Sequence, residues 1–328
     1  MSRILITGGT GFIGYHTALA HLQKGDEVTL LDNLTQGKKD TDVTVLLTHR
    51  GVRLIEADIT KGDLASLVGS GYDVVYHLAG INGFKQFTEI PHDVLRVGIG
   101  SSIAVLDWFR NENKNQNSKI IFASSNEVYE GALEAFGSLP EQVPEKVPLV
   151  IPDTSNPRFS YAGSKIAGEL FFIHYAKAYN FRMSIVRLHN IYGPRAGYHP
   201  MIPKMIARVA AHTDPFPLIG GEEKRAFCFV EDAVAAMMAL NSSRDTDGGT
   251  YNVGGEEMTT IAELTQTLFE ISGWKPATID QKPSPSSTTS YHTPNLNSIK
   301  KDTLWRPAIS LKEGLTKTVK WYKEHPQT

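Results

Sequence analysis

The stretch that most constrains the fold lies at the start of the chain: Arg3-Ile-Leu-Ile-Thr7-Gly8-Gly9-Thr10-Gly11-Phe12-Ile13-Gly14. Ile4 to Ile6 is a short apolar run with β-branched residues, which predicts a buried strand. Glycines follow at once, and Tyr15 to Gln23 then carries a helix-like pattern. Glycines 9, 11 and 14 satisfy G-x-G-x-x-G, and glycines 8, 11 and 14 satisfy G-x-x-G-x-x-G. A strand that turns through glycines into a helix presents free backbone N–H groups to a pyrophosphate. Gly11 would let a phosphate approach the backbone, and Gly14 would let the helix pack close on the strand. Gly8, Gly11, Phe12, Ile13 and Gly14 are therefore candidate dinucleotide contacts. The alternative is a plain tight turn, against which the flanking strand and helix weigh.

A second strand, Val28 to Leu31, ends in Asp32-Asn33, eighteen residues past Gly14. A carboxylate there can accept both hydroxyl hydrogen bonds of an adenosine ribose and would repel a 2′-phosphate, so NAD is expected rather than NADP. Lys38 and Lys39 nearby pull the other way. Val52 to Ala57 predicts a third strand ending at Asp58-Ile59, a position that meets an adenine edge. A fourth, from Asp73, closes in His77-Leu78-Ala79-Gly80, small residues suited to a ligand near the backbone. Asp93 to Arg110 predicts a helix and Lys119 to Ser124 a fifth strand. This alternation predicts an α/β, doubly wound parallel sheet with ligands beyond the strands' carboxyl ends.

Bulk properties narrow the class. A hydrophobic fraction of 41% and a formal charge of −2 over 328 residues fit a globular protein and give no basic excess for nucleic acid. Cys228 is the only cysteine, so no intrachain disulfide forms. The early first strand leaves no room for a signal peptide, and Ala233 to Leu240 is too short to span a bilayer. A cytoplasmic protein that does not enter a membrane is expected, with no metal site.

The fifth strand runs into Ser124-Ser125-Asn126-Glu127-Val128-Tyr129, polar groups where chemistry would occur, although a Ser/Asn turn explains them equally. Glu130 to Pro157 contains five prolines and is expected to be irregular and lid-like. Ser160-Tyr161-Ala-Gly-Ser-Lys165 then opens a helix. Tyr161 and Lys165, four apart, share a helical face, where an ammonium would lower the phenol pKa and make a usable base. An amphipathic helix explains that spacing as well.

Phe181 to Leu188 predicts a sixth strand, running into His189-Asn190-Ile-Tyr-Gly-Pro194. Pro203 is expected to open a helix from Lys204 to Ala211, and Glu231-Asp232 leads another through Leu240. Thr260-Ile-Ala-Glu263 and Ser310-Leu-Lys-Glu313 have capping-box form, placing helix starts at Ile261 and Leu311.

Taken together, the chain resembles the extended short-chain dehydrogenase/reductase family, within it the nucleotide-sugar epimerases, dehydratases and decarboxylases. The resemblance rests on residues 7–14, Asp32-Asn33-Leu34, Asp58, His77 to Gly80, Ser124 to Tyr129, Tyr161 to Lys165, Asn190 to Pro194, Arg225-Ala-Phe and Tyr251-Asn-Val-Gly-Gly255. It implies a Rossmann domain of residues 1–191 plus 231–253 and a smaller substrate lobe of 192–230 plus 254–328. It implies that Tyr161 takes a proton from a sugar hydroxyl, usually at C4, as hydride leaves C4 for NAD. Ser125 would share that hydroxyl's hydrogen bond, and Lys165 would hold the nicotinamide ribose. Asn190 would contact the diphosphate or sugar.

The resemblance leaves the branch open. Glu127 is like the glutamate of dehydratases and decarboxylases, whereas Asn126 replaces the aspartic acid that would protonate departing water; an amide cannot. Arg158 or Arg225 could hold a hexuronate carboxylate or a diphosphate, although Arg158 in a proline-rich loop could equally be a surface residue. Lys85 is a further substrate candidate in a segment lacking the usual arginine or serine, and Lys282 to Tyr291 lacks the usual diphosphate arginine. An epimerase is the leading expectation, a decarboxylase or dehydratase using Glu127 the alternative, and a non-catalytic NAD sensor a remote one. A homodimer through helices near 94–110 and 161–179 is also implied.

Overall fold

The structure, a computed structural model, describes residues 1–113, 115, 117–283 and 293–326. Its main sheet contains β1 (Arg3–Thr7), β2 (Glu27–Asp32), β3 (Val52–Glu56), β4 (Val74–His77), β5 (Lys119–Ser125), β6 (Arg182–Leu188) and β7 (Thr250–Val253). These seven strands run parallel in the order β7-β6-β5-β4-β1-β2-β3. The direction of winding reverses between β1 and β4, which opens a crevice at their carboxyl ends. The helices that matter below are α1 (Phe12–Gln23), α2 (Phe84–Glu89), α3 (Pro91–Asn111), α4 (Glu130–Phe136) and α5 (Ser160–Tyr179). They continue with α6 (Met201–Ala210), α7 (Val230–Ser242), α8 (Ile261–Ser272) and α9 (Leu311–Glu324).

Both sheet faces are buried, as continuous apolar strands require. Ile4 and Ile6 join a core with α1 and α7 that continues into Phe216, Leu264 and Leu315 beyond the sheet. Leu5 points to the other face, where Val105, Leu106 and Phe172 from α3 and α5 cover it. Short pairings complete the far end: Lys224–Ala226 runs antiparallel to Met258–Thr260, and Ile279–Lys282 parallel to Phe216–Ile219.

Local expectations hold where the chemistry is local. Thr260 and Glu263 form the reciprocal capping box that starts α8, and Ser310 accepts from the Glu313 N–H at the start of α9. Two are corrected. Residues 130–157 are not wholly irregular, because α4 and a strand at Gln142–Val143 lie within them. That strand pairs with Thr293–Pro294, a partner about 150 residues away that no local pattern announces. Helix α6 begins at Met201, so Pro203 sits within its first turn rather than opening it; a first-turn residue has no intrahelical use for its N–H. The expected features from Ser284 to Tyr291 lie outside the described residues.

A buried polar network ties the sheet to α5. Arg187 on β6 pairs with Glu169 on α5, its Nη2 at 2.6 Å and its Nε at 2.9 Å from the carboxylate oxygens. Ser124 donates to the same carboxylate at 2.6 Å, and Arg187 also donates to the Tyr129 hydroxyl and the Glu145 carbonyl. On β4, His77 is 1% exposed, bonded to the Thr7 hydroxyl at 2.8 Å and packed against Phe122 and Phe172, which also stack on each other.

Removing one partner of a buried ion pair strands the other charge, so Arg187→Leu should destabilise the fold by about 3–5 kcal/mol, read from the urea midpoint at unchanged m-value. Burial, with a smaller contribution from Lys165, lowers the His77 pKa to about 3, and burial lowers that of His189 to about 4. The unfolded chain protonates these groups near 6.5 while the native state does not, so stability is lost as pH falls below about 6.5 towards 4. Each histidine contributes a slope of about 1.4 kcal/mol per pH unit. His77→Gln should flatten the dependence of stability on pH by about that much between pH 6 and 4; an unchanged slope would show that His77 is not held neutral.

Candidate functional site

The glycine turn is built by close contact. Gly8 has φ +69°, and a side chain there would come within 2.9 Å of the Ala79 nitrogen. A Cβ on Gly14 would run into the Gly8 carbonyl, so the close approach it permits is of the helix to the glycine turn rather than to the strand itself. Gly11 is the N-cap of α1, and no side chain caps the helix. The first-turn N–H groups, from Phe12 onward, are left for an anion.

Asp32 lies 8% exposed at the tip of β2 and accepts from the Thr10 and Leu34 N–H groups at 3.1 and 2.8 Å. Asn33 accepts from the Thr35 N–H in the same turn. Gly37 must be small, since a Cβ would strike the Thr10 hydroxyl and crowd the Asp32 carboxylate. The loop after β2 is thus folded onto the glycine turn, and Gln36 exchanges two hydrogen bonds with the Asn82 backbone beyond β4. Lys39 is committed to Glu56 at 2.9 Å. Asp58 accepts from the N–H and hydroxyl of Thr60; burial works against its charge, but these bonds and Lys61 hold its pKa low. Ile59 is buried beside it. Leu78 and Ala79 donate to the Thr7 backbone and hydroxyl, and Gly80 faces the Lys165 ammonium.

The fifth strand and α5 bring the polar candidates together. Tyr161 is 9% exposed, its ring stacked on Phe87 of α2 at 4.7 Å. Lys165 donates to the Ala123 carbonyl at 2.8 Å, its Nζ 5.6 Å from the centre of the Tyr161 ring. Burial lowers the Lys165 pKa to about 8, although Glu169 opposes this. Burial raises the Tyr161 pKa, Glu127 raises it further, and a hydrogen bond with Ser125 pulls it back. The expectation that Lys165 by itself makes Tyr161 acidic is therefore corrected: its ammonium is spent on a backbone carbonyl, and desolvation prevails.

Beyond Ser125 lies a charged cluster. Ser125 accepts from the Glu127 N–H at 3.2 Å, and its hydroxyl is 3.5 Å from the Asn126 side-chain oxygen. Arg158 reaches Glu127 at 3.3 Å and Glu130 at 3.6 Å, so it belongs to the cluster rather than to a bare surface. Burial and the neighbouring Glu127 raise the Glu130 pKa to about 7 against Arg158 and Arg225. Arg225 pairs with Glu223 at 3.1 Å. Asn190, at φ +45°, donates to the Ala226 carbonyl and lines a small cavity with Asn126, Glu130 and His189. Lys85 lies exposed on α2 with Glu89 as its charged partner at 3.8 Å, and the structure does not bring it into this cluster.

Sequence reasoning missed Glu130, Phe87 and Arg195. Arg195 is 95% buried at the side chain, bonded to Asp40 at 2.7 Å, near the Thr10 carbonyl at 3.4 Å and over the Tyr15 ring. It joins the glycine turn to the segment after β6. The available signal was its place directly after Gly193-Pro194, the end of a quoted motif.

With this geometry in view, similarity to known proteins is informative. Residues 4–254 match the model of the NAD dependent epimerase/dehydratase family. UDP-N-acetyl-alpha-D-glucosaminuronate decarboxylase of Bacillus cytotoxicus is 30% identical over 98% of both chains. The structure of UDP-glucuronic acid 4-epimerase from Bacillus cereus, in complex with UDP-glucuronic acid and NAD, superposes with a TM-score of 0.84 at 25% identity, covering 98% of this chain and 99% of that one. UDP-glucose 4-epimerase of Thermotoga maritima, with UDP-glucose, gives 0.83 at 26% identity, covering 99% of this chain and 100% of that one. The glycine turn, the Asp32 tip and the Ser125–Tyr161–Lys165 grouping fit a dinucleotide and a hydroxyl substrate. The chain belongs to the NAD dependent epimerase/dehydratase family, NAD-using enzymes of nucleotide-sugar chemistry.

Proposed function

We propose that the protein is an NAD-dependent nucleotide-sugar 4-epimerase acting on a hexose with an uncharged C6. The observation that carries this is the pairing of both candidate arginines. Arg158 already faces Glu127 and Glu130, and Arg225 already faces Glu223. A hexuronate carboxylate brought into this cluster would meet two guanidinium groups already paired with Glu127 and Glu223, with Glu130, about half ionised near neutral pH, beside them, which disfavours it. Asn126 cannot supply the proton that elimination of water needs.

Gly8, Gly11 to Gly14, Asp32, Asn33, Asp58, Ile59 and Leu78 to Gly80 would hold the cofactor, with Lys165 at its nicotinamide end. Bound NAD would supply a hydride acceptor for C4 of the sugar and, once reduced, the hydride that restores C4 on either face. The remaining work falls to side chains of this chain. Ser125 fixes the C4 hydroxyl, and Tyr161 takes its proton as the C4 ketone forms, then gives it back as the hydroxyl is restored. The raised Tyr161 pKa means that this base needs positive charge beside it. Asn190 and Arg225 would meet the diphosphate, within a lobe of 192–230 plus 254–328. Lys85 stays outside this set.

A second reading, decarboxylation with Glu127 as the acting carboxylate, is supported by the likeness to the Bacillus cytotoxicus decarboxylase and by Glu127's influence on Tyr161. A homodimer is proposed through α3 and α5, which carry the exposed apolar residues Leu95, Leu170 and Tyr179. Light scattering on the purified protein should then give about twice the chain's 36.1 kDa, and a monomer across the micromolar range would remove the proposal.

Incubation with UDP-, GDP- and dTDP-hexoses and with UDP-glucuronate, followed by mass spectrometry, separates the readings. Epimerisation leaves the mass unchanged with altered retention; loss of carbon dioxide or water from any donor would overturn the epimerase. Tyr161→Phe should cut turnover by about 10²–10⁴-fold and leave NAD bound. Glu127→Gln should spare epimerisation to within about tenfold, whereas a loss as large as that of Tyr161→Phe would favour the lyase.

A further inference from the structure

A large cleft lies away from the crevice. It has a volume of about 280 Å³ and sits at the amino-terminal ends of β1, β2 and β3, lined by Arg3, Arg50, Arg53, Glu27, Thr29 and Tyr72 among others. Three arginines and one glutamate give this lining a formal charge of +2, in a chain whose net charge is −2. None of the three guanidinium groups is paired with a carboxylate among the described residues. Arg3 donates to the Ser70 and Gly71 carbonyls and lies over the Tyr72 ring. Arg53 donates to the Thr29 and Tyr72 hydroxyls and to the Val68 carbonyl. Arg50 shows no side-chain hydrogen bond or ion pair among the described residues.

These bonds to neutral acceptors orient Arg3 and Arg53 without cancelling their charge. Tyr72, 1% exposed, sits between them as a rigid spacer. Oriented guanidinium forks with uncancelled charge are what a phosphate dianion requires. The volume approaches the roughly 300 Å³ at which small-molecule sites begin, which leaves room for a group attached to the phosphate.

We infer that this cleft is a second binding site, for a small anion that carries a phosphate group, at the end of the sheet opposite the cofactor crevice. A ligand there does not overlap the dinucleotide, because the glycine turn and Asp32 lie at the other ends of the same strands.

The test is calorimetric titration of NAD-saturated protein with inorganic phosphate and, separately, with AMP, at constant ionic strength so that screening does not vary. Saturable binding is expected with both, weakened at least about tenfold in Arg50→Ala/Arg53→Ala. Tighter binding of AMP would identify a phosphomonoester site, and equal binding a site that reads phosphate alone. Arg50→Ala removes no side-chain hydrogen bond or ion pair among the described residues, so this single variant keeps the test valid if the double variant fails to fold. Unchanged affinity in Arg50→Ala, absence of saturable binding, or loss of binding in Arg225→Ala instead would overturn the proposal.

Discussion

The ion pair between Arg187 and Glu169 is the contact on which the crevice depends. It joins the carboxyl end of β6 to α5 and takes Ser124 of β5 as a third member, so two strands and one helix are fixed by a single carboxylate. Ser125 follows Ser124 on the strand, and Lys165 lies one helical turn before Glu169. The distance between the serine and the tyrosine–lysine pair is therefore set from beneath. A buried pair of this kind adds little net stability compared with apolar packing, but breaking it is costly. That asymmetry suits a scaffold that must hold one arrangement.

Electrostatics at the sugar end run counter to the simplest view of a tyrosine base. Burial and Glu127 both hold the proton on Tyr161, and Lys165 is engaged with the Ala123 carbonyl. The two arginines nearby are each matched to carboxylates. At the far end of β1 to β3 the balance is reversed: among the described residues, Arg3 and Arg53 donate to neutral acceptors alone.

Much of this was legible before any tertiary contact was known. The strand–glycine–helix start, Asp32 at the next strand tip, and Tyr161 with Lys165 on one helical face depend on short-range spacing and on hydrophobic period. The capping box at Thr260 was equally local. Residues 130–157 were harder, because α4 is a helix of only seven residues ahead of a proline-rich stretch, and the strand at Gln142–Val143 exists only through its pairing with Thr293–Pro294.

The sequence alone determined the family, the winding of the sheet, the strand–glycine–helix start and the placing of Tyr161 and Lys165 on one helical face. Each of these follows from residue types at fixed separations along one strand or helix. Only the tertiary structure decided the charge state and surroundings of those groups. Phe87 covers Tyr161 from 74 residues earlier in the chain, Arg158 reaches Glu127 across 31, and Arg195 reaches Asp40 across 155. Desolvation and Coulomb interaction depend on distance in space, which a linear pattern does not encode.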